Sequence, residues 1–300
     1  MFNYPPPDPM KLPFLSAAAS FFLLALSPAA DDAKDGFIRV DEDEKAARLQ
    51  TAVTHYEKDG ASVELIGAVH IADKAYYEKL NERFKGYDAV LFEMIGGERL
   101  SKNSVEPAGQ KAKKKQDLSA LHSIYDMVAK FLKLTGQMEN VDYTAKNFVH
   151  ADLTYDEFAK MQKERGESLL GFALKAGKDA PEPAKQPDPA KLLTAMISGK
   201  SNLVKLEIVH TLGQGDDQIA AFSGQSVIIS DRNQRCIEVM NREIAAGKKK
   251  LGVFYGAAHF PDMEKRLEEQ GFKQTKQEWF TAWDIPKAEE KPAEQKKDAA

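Results

Sequence analysis

Two segments far apart in this 300-residue chain carry the same local plan, and that constrains the fold more than any other feature. The first, from Val63, reads VELIGAVHIADKAYYEKLNERFKGYDAVLFE; the second, from Leu251, reads LGVFYGAAHFPDMEKRLEEQGFKQTKQEWF. Each has a short apolar run, Gly-Ala-x-His, one apolar residue, one further residue and Asp. A helical stretch, a glycine and a second apolar run follow. Self-similarity of this kind is the mark of an internal duplication. The apolar runs alternate little, which suits strands covered on both faces. The reading is an α/β fold: a duplicated βα core with a mixed sheet, and a helical insert between the two halves. The ends of the chain must then meet to make one sheet.

Between Arg48 and Ile66 the pattern fits two strands around a turn at Lys58-Asp59-Gly60. A helix is expected over Asp73–Phe84, with Tyr76, Tyr77, Leu80 and Phe84 on one face and Gly86 as its stop. Further helices are expected over Asp117–Gly136, Thr154–Ala176, Lys191–Phe222 with a break at Gly213-Gln214-Gly215, and Val227–Ala246. The run GKDAPEPAKQPDPA at 177–190 reads as an exposed loop. Residues 31–46 read as a mobile acidic lead-in and 286–300 as a disordered tail. One domain spans 31–285, with its core in 47–95 and 226–285 and its insert in 96–225.

At the N-terminus, Met10 and Lys11 precede an apolar stretch from Leu12 to Leu26, then Ser27-Pro28-Ala29-Ala30. A base, a short apolar run and small residues form a secretory signal, so residues 1–30 are expected to direct export, to the periplasm or the exterior, and to be removed near Ala29 or Ala30. An uncleaved anchor is the alternative, and translation from Met10 rather than Met1 stays open. The formal net charge of −4 gives no basic footprint for nucleic acid. A single cysteine, Cys236, excludes an internal disulfide and a multi-thiolate zinc site.

In open α/β sheets ligands bind beyond the carboxyl ends of the strands, where both histidines, His70 and His259, would lie. Gly67 and Gly256 would let the backbone turn sharply and leave room for a ligand. Glu93, ending the strand after the first unit, would share that edge. Two imidazoles and a carboxylate suit a divalent metal with open positions for water. Arg232, in the segment Asp231-Arg232-Asn233, is a candidate for binding a carboxylate or an oxyanion. His150 and Asp152 precede the Thr154 helix; they either cap it or are brought over the pocket by the insert. Asp73 and Asp262, in the first turns of their helices, complement the helix dipole unless they join the site. His55, His122 and His210 read as core or surface residues.

At GAVH 67–70, at DAVLFE ending in Glu93, at DRN 231–233 and at GAAH 256–259 the chain resembles the TraB/PrgY/GumN family and the related Tiki metalloproteases. The resemblance covers about residues 49–93 and 227–283, not the middle. It implies a two-fold α/β core with a pocket between the halves. In Tiki members the matching histidines and glutamate serve a metal-dependent peptidase, with manganese or cobalt as the ion and zinc as a further option. Erythromycin-esterase-like relatives use such a pocket without metal, through histidine and glutamate acid–base work. Other members are regulators of peptide signals.

The expectation is an exported metal-dependent hydrolase acting on a peptide or amide, with His70, Glu93 and His259 on the ion and Arg232 stabilising the anion. Two rivals stand beside it. One is a metal-free hydrolase with His70 as base; the other is a non-catalytic protein that holds a peptide or small ligand.

Overall fold

The computed structural model describes residues 36–100, 127–166, 194–195, 197–212 and 227–287. The two Gly-Ala-x-His segments meet in one sheet. Strand β8 (Lys250–Gly256) lies between β3 (Ala61–Ala68) and β5 (Ala89–Phe92) and runs parallel to both. Strand β7 (Phe148–His150) extends the parallel part beyond β5. On the other side β2 (Ala46–Lys58) is antiparallel to β3, and β1 (Ile38–Glu42) and β9 (Lys273–Pro286) pair antiparallel with β2. The fold is α/β with a mixed sheet, as the sequence predicts.

Local chemistry accounts for the elements. The β2–β3 hairpin turns through Asp59 (φ 50°) and Gly60 (φ 77°), with Lys58 paired to Ala61. A two-residue turn with both angles positive matches the twist of the strands it joins, and Asp-Gly is a favoured pair for it. Strands β3, β5 and β8 bury nearly every side chain, as the near-continuous apolar runs demand. Helix α1 (Lys74–Phe84) buries Tyr76, Tyr77, Leu80 and Phe84, the face expected from their spacing. Helix α5 (Arg232–Ala245) buries Cys236, Ile237, Val239 and Met240, and α6 (Phe260–Glu269) buries Phe260, Met263 and Leu267. No helix among the described residues is long and apolar enough to cross a membrane.

The structure corrects several boundaries. Part of the supposed lead-in at 31–46 is strand β1, because Ile38 and Val40 alternate with polar residues and pair along β2. The insert is not wholly helical. Its β6 (Thr135–Gly136) pairs with β4 (Ile71–Ala72), and its β7 enters the main sheet. Within the helix expected over 117–136, the described helical run ends at residue 131, and Lys133 turns the chain with φ 55°. The Thr154 helix, α3 (Tyr155–Arg165), ends early because Gly166 adopts a left-handed cap at φ 65°. Two further insert helices are α2 (Gln137–Asn140) and α4 (Ser201–Leu212). The expected signal at 1–30, the start of the 117–136 helix, the 177–190 loop, the 213–215 break and the tail beyond 287 lie outside the described residues.

Candidate functional site

Parallel pairing sets the candidate residues at one edge. Ala68 is opposite Gly256, and Phe92 is opposite Phe254. The residues that follow, His70, Glu93 and Ala257–His259, therefore leave the sheet together at its carboxyl end.

His70 sits in the short link from β3 to β4, and the backbone of that link is tied down. Tyr76 and Tyr77 of α1 donate their hydroxyls to the carbonyls of Gly67 and Val69. The Gln137 N–H donates to the carbonyl of His70 at 2.9 Å, and the Trp283 indole to that of Ile71 at 2.7 Å. The residue as a whole keeps an exposed surface although protein surrounds it closely. Crowding by surrounding protein is the main cause that lowers its pKa from the ordinary 6.5; Glu93 pulls the other way and Arg232 adds to the lowering. His70 is thus accessible and readily neutral.

His259 is held in the opposite manner, by its ring. The short 3-10 turn Ala257–His259 follows β8 and leaves the side chain 4% exposed. Asn233 of α5 donates its amide N–H to the His259 carbonyl (2.9 Å) and to Asp262 Oδ2 (2.8 Å). Both partners only accept, so Asn233 Oδ1 must be the atom 2.6 Å from His259 Nδ1, and that nitrogen carries a hydrogen. Nε2 then faces Glu93 Oε1 at 3.5 Å and Arg232 Nη1 at 3.4 Å.

Arg232 is the hub. Its Nη2 donates to Glu93 Oε1 and to Asp152 Oδ2, both at 2.6 Å, and its Nε donates to Asp152 Oδ1 at 3.0 Å. The two-pronged grip on Asp152 is the geometry that guanidinium and carboxylate favour. Burial works against the Arg232 charge, but Asp152 and then Glu93 outweigh it and keep the guanidinium protonated. Burial likewise opposes ionisation of Glu93, yet Arg232, His259 and His70 hold its carboxyl well below the usual range. Its second oxygen accepts from the Gly256 N–H at 2.7 Å.

The two motif glycines have a different reason from the one expected. Neither adopts a positive φ. A Cβ on Gly67 would meet the Thr51 Cβ at 3.0 Å, and one on Gly256 would meet Glu93 Oε2 at 3.3 Å. Close approach of neighbours, rather than a sharp turn, makes a side chain there a tight fit.

The secondary candidates divide. Asp152, 1% exposed at the end of β7, enters the site through Arg232. His150 does not: its Nε2 bonds the Met94 carbonyl at 2.7 Å and its ring packs edge-on to Phe92. Neither residue caps α3, because Thr154 and Glu157 form a reciprocal capping box there. Asp262 supports Asn233 and takes the Arg266 guanidinium at 2.7 Å, so it does more than complement a helix dipole. Asp73 stands before α1 and accepts the Asp284 N–H at 2.7 Å, which ties α1 to β9 rather than capping the helix. Of the two partners expected for Arg232, a carboxylate or an oxyanion, the structure shows the carboxylate, supplied by both Asp152 and Glu93.

The sequence alone gives Asn233, the last residue of the DRN motif, no role of its own. It lies with Cys236, Ile237 and Met240 on one helix stripe, and a buried amide among apolar positions signals a committed set of hydrogen bonds. Gln137 carries no such signal, since its helix is a single turn.

A divalent ion at the expected place needs His70, Glu93 and His259 to converge. Among the described residues no three His, Cys, Asp or Glu side chains form such a group. Glu93 and His259 are instead both in contact with the Arg232 guanidinium. The arrangement does not fit a three-ligand ion unless Arg232 moves.

No protein-family model matches the chain, and neither curated proteins nor solved structures give a match. The resemblance to the TraB/PrgY/GumN and Tiki families therefore stands on the motif residues alone.

Proposed function

We propose that the chain is a hydrolase of ester or amide bonds that works by acid–base chemistry at His70, beside a fixed wall of Glu93, Arg232 and His259. One observation carries the reading: Arg232 lies against both Glu93 and His259, so two of the three expected metal donors are engaged, while His70 is the motif histidine that keeps an exposed surface. Neutral His70 would take a proton from water as that water attacks the carbonyl carbon. It would then return the proton to the departing oxygen or nitrogen when the tetrahedral intermediate collapses. The imidazolium formed in between is favoured by the Glu93 carboxylate, whose charge raises the proton affinity of His70. Arg232 and the Gly256 N–H keep Glu93 in place for that task. The export expectation adds that the reaction lies outside the cytoplasm. N-terminal sequencing of the exported protein should then begin just after Ala29 or Ala30.

A second reading, the metal-dependent hydrolase, is favoured by one distance. Glu93 Oε1 and His259 Nε2 are 3.5 Å apart, close to the roughly 3.3 Å expected of two ligands on one tetrahedral ion. The deciding experiment assays nitrophenyl esters and aminoacyl nitroanilides with the purified mature protein. It compares wild type with His70→Ala, before and after chelation, with ion content measured alongside. Turnover that survives chelation and disappears in His70→Ala is the expected result. Stoichiometric manganese, cobalt or zinc with turnover lost on chelation would replace the proposal by the metal reading. Absence of turnover in both states would leave a protein that holds a peptide or small ligand.

A further inference from the structure

Gln137 is the first residue of α2, directly after the β4–β6 pairing that follows His70. It is 8% exposed. Its backbone N–H donates to the His70 carbonyl at 2.9 Å, so the two residues are fastened together. Its side-chain Nε2 donates to the Tyr143 hydroxyl at 2.6 Å. Its Oε1 is buried and makes no hydrogen bond of normal geometry. A buried amide oxygen without a donor costs about 1–3 kcal/mol, so it persists where a donor lies within small adjustments. The residue fastened to Gln137 through its backbone is His70, whose ring can supply such a donor and whose protonated form the Gln137 side chain favours.

We infer that Gln137 is a positioning residue that holds the His70 ring in one tautomer and one orientation, with an N–H toward Gln137 Oε1 and the lone pair of the other nitrogen toward solvent. A neutral imidazole has one donor and one acceptor nitrogen, and a base must present the acceptor to its substrate. The carbonyl clamps on the loop fix where the ring begins but not which nitrogen carries the hydrogen. An acceptor beside one nitrogen decides that. The value of the fixed tautomer rests on the reading of His70 as the base. The tautomer itself is measured without substrate, so failure of one does not imply failure of the other.

The test uses mature protein labelled with 15N-histidine, at an alkaline pH where the ring is neutral, with the His70 signals assigned by comparison with His70→Ala. Correlations between ring nitrogens and carbon-bound protons report the tautomer. Wild type should show one tautomer. Gln137→Leu, which removes the acceptor, should show both, with kcat lowered about 10- to 100-fold, the usual effect of losing an orienting partner, at unchanged KM. Gln137→Glu, which can only accept, should restore the wild-type tautomer, and so should Tyr143→Phe, which removes only the partner of Nε2. Gln137→Met serves in place of leucine if the branched side chain disrupts the fold. A folded Gln137→Leu or Gln137→Met protein that keeps the single wild-type tautomer would overturn the inference. So would a wild type already divided between two tautomers.

Discussion

The two Gly-Ala-x-His units share a motif and a place at the sheet edge, but they hold their histidines by opposite means. In the first, the backbone is clamped by two phenols, an indole and an amide, and His70 keeps an exposed surface. In the second, the ring of His259 is buried and gripped by Asn233, while Arg232 and Glu93 close in on its other nitrogen. The same four letters deliver an imidazole to the same strand end. What surrounds it decides whether it can exchange a proton with a substrate or only support the groups around it.

The largest effect should come from the hub of the second unit. Arg232→Met leaves Glu93 and Asp152 buried without their counter-charge, and breaking a buried pair in this way costs about 3–5 kcal/mol. Urea unfolding of the variant measures it; a loss below about 1 kcal/mol would mean the ion cluster does not anchor this end of the sheet.

Next in size is the contrast between the histidines themselves. His259→Ala removes a buried ring and strands Asn233 Oδ1, at a cost of about 1–3 kcal/mol. His70→Ala removes an exposed residue, and water can then reach Gln137 Oε1 in place of the ring, so stability should change by no more than about 1 kcal/mol, while turnover falls by roughly 10²–10⁴-fold. Equal stability losses in the two variants would erase the distinction between the units.

The smallest effects are those of pH. Glu93 titrates lower in the folded state than its ordinary 4.5, so the stability it lends is present above that value and is lost as pH falls through the folded one. The gap in urea midpoint between wild type and Glu93→Gln should therefore narrow toward pH 3. His70 also titrates lower when folded, so protonation favours unfolding as pH drops below 6.5. His70→Ala should lose slightly less stability than wild type between about pH 7 and 5. A gap for Glu93→Gln that widened on acidification would contradict the sign assigned to Glu93.

Much of this was legible in the residues because strands and helices announce themselves by period. The runs ending at Ala68, Phe92 and Gly256 had to be central strands, and that placed His70, Glu93 and His259 at one edge before any coordinates. The Tyr76, Tyr77, Leu80 and Phe84 face was equally plain. Side-chain partnership was not, because it depends on contacts between residues 80 or 139 positions apart, such as Asp152 and Glu93 with Arg232. A guanidinium read alone looks available; only the fold reveals that two carboxylates already hold it. The strand pieces of the insert were missed for a similar reason. Phe148–His150 is too short to show alternation, and it is strand only because β5 offers it an edge.

The position of β8 has a consequence for how the chain comes into being. The strand that sits between β3 and β5 is made almost 160 residues after β5, so the middle of the sheet is the last part of its parallel half to exist. Until residue 256 is synthesised, β3 and β5 each present an open edge, the kind of surface that seeks any other strand. A chain cut anywhere before that point loses the centre of its sheet rather than an end, and the half that remains has no core to close. Such long-range pairing slows folding and prolongs the life of sticky intermediates. The parallel half of the sheet therefore cannot close as the chain emerges; it closes only once β8 has been made.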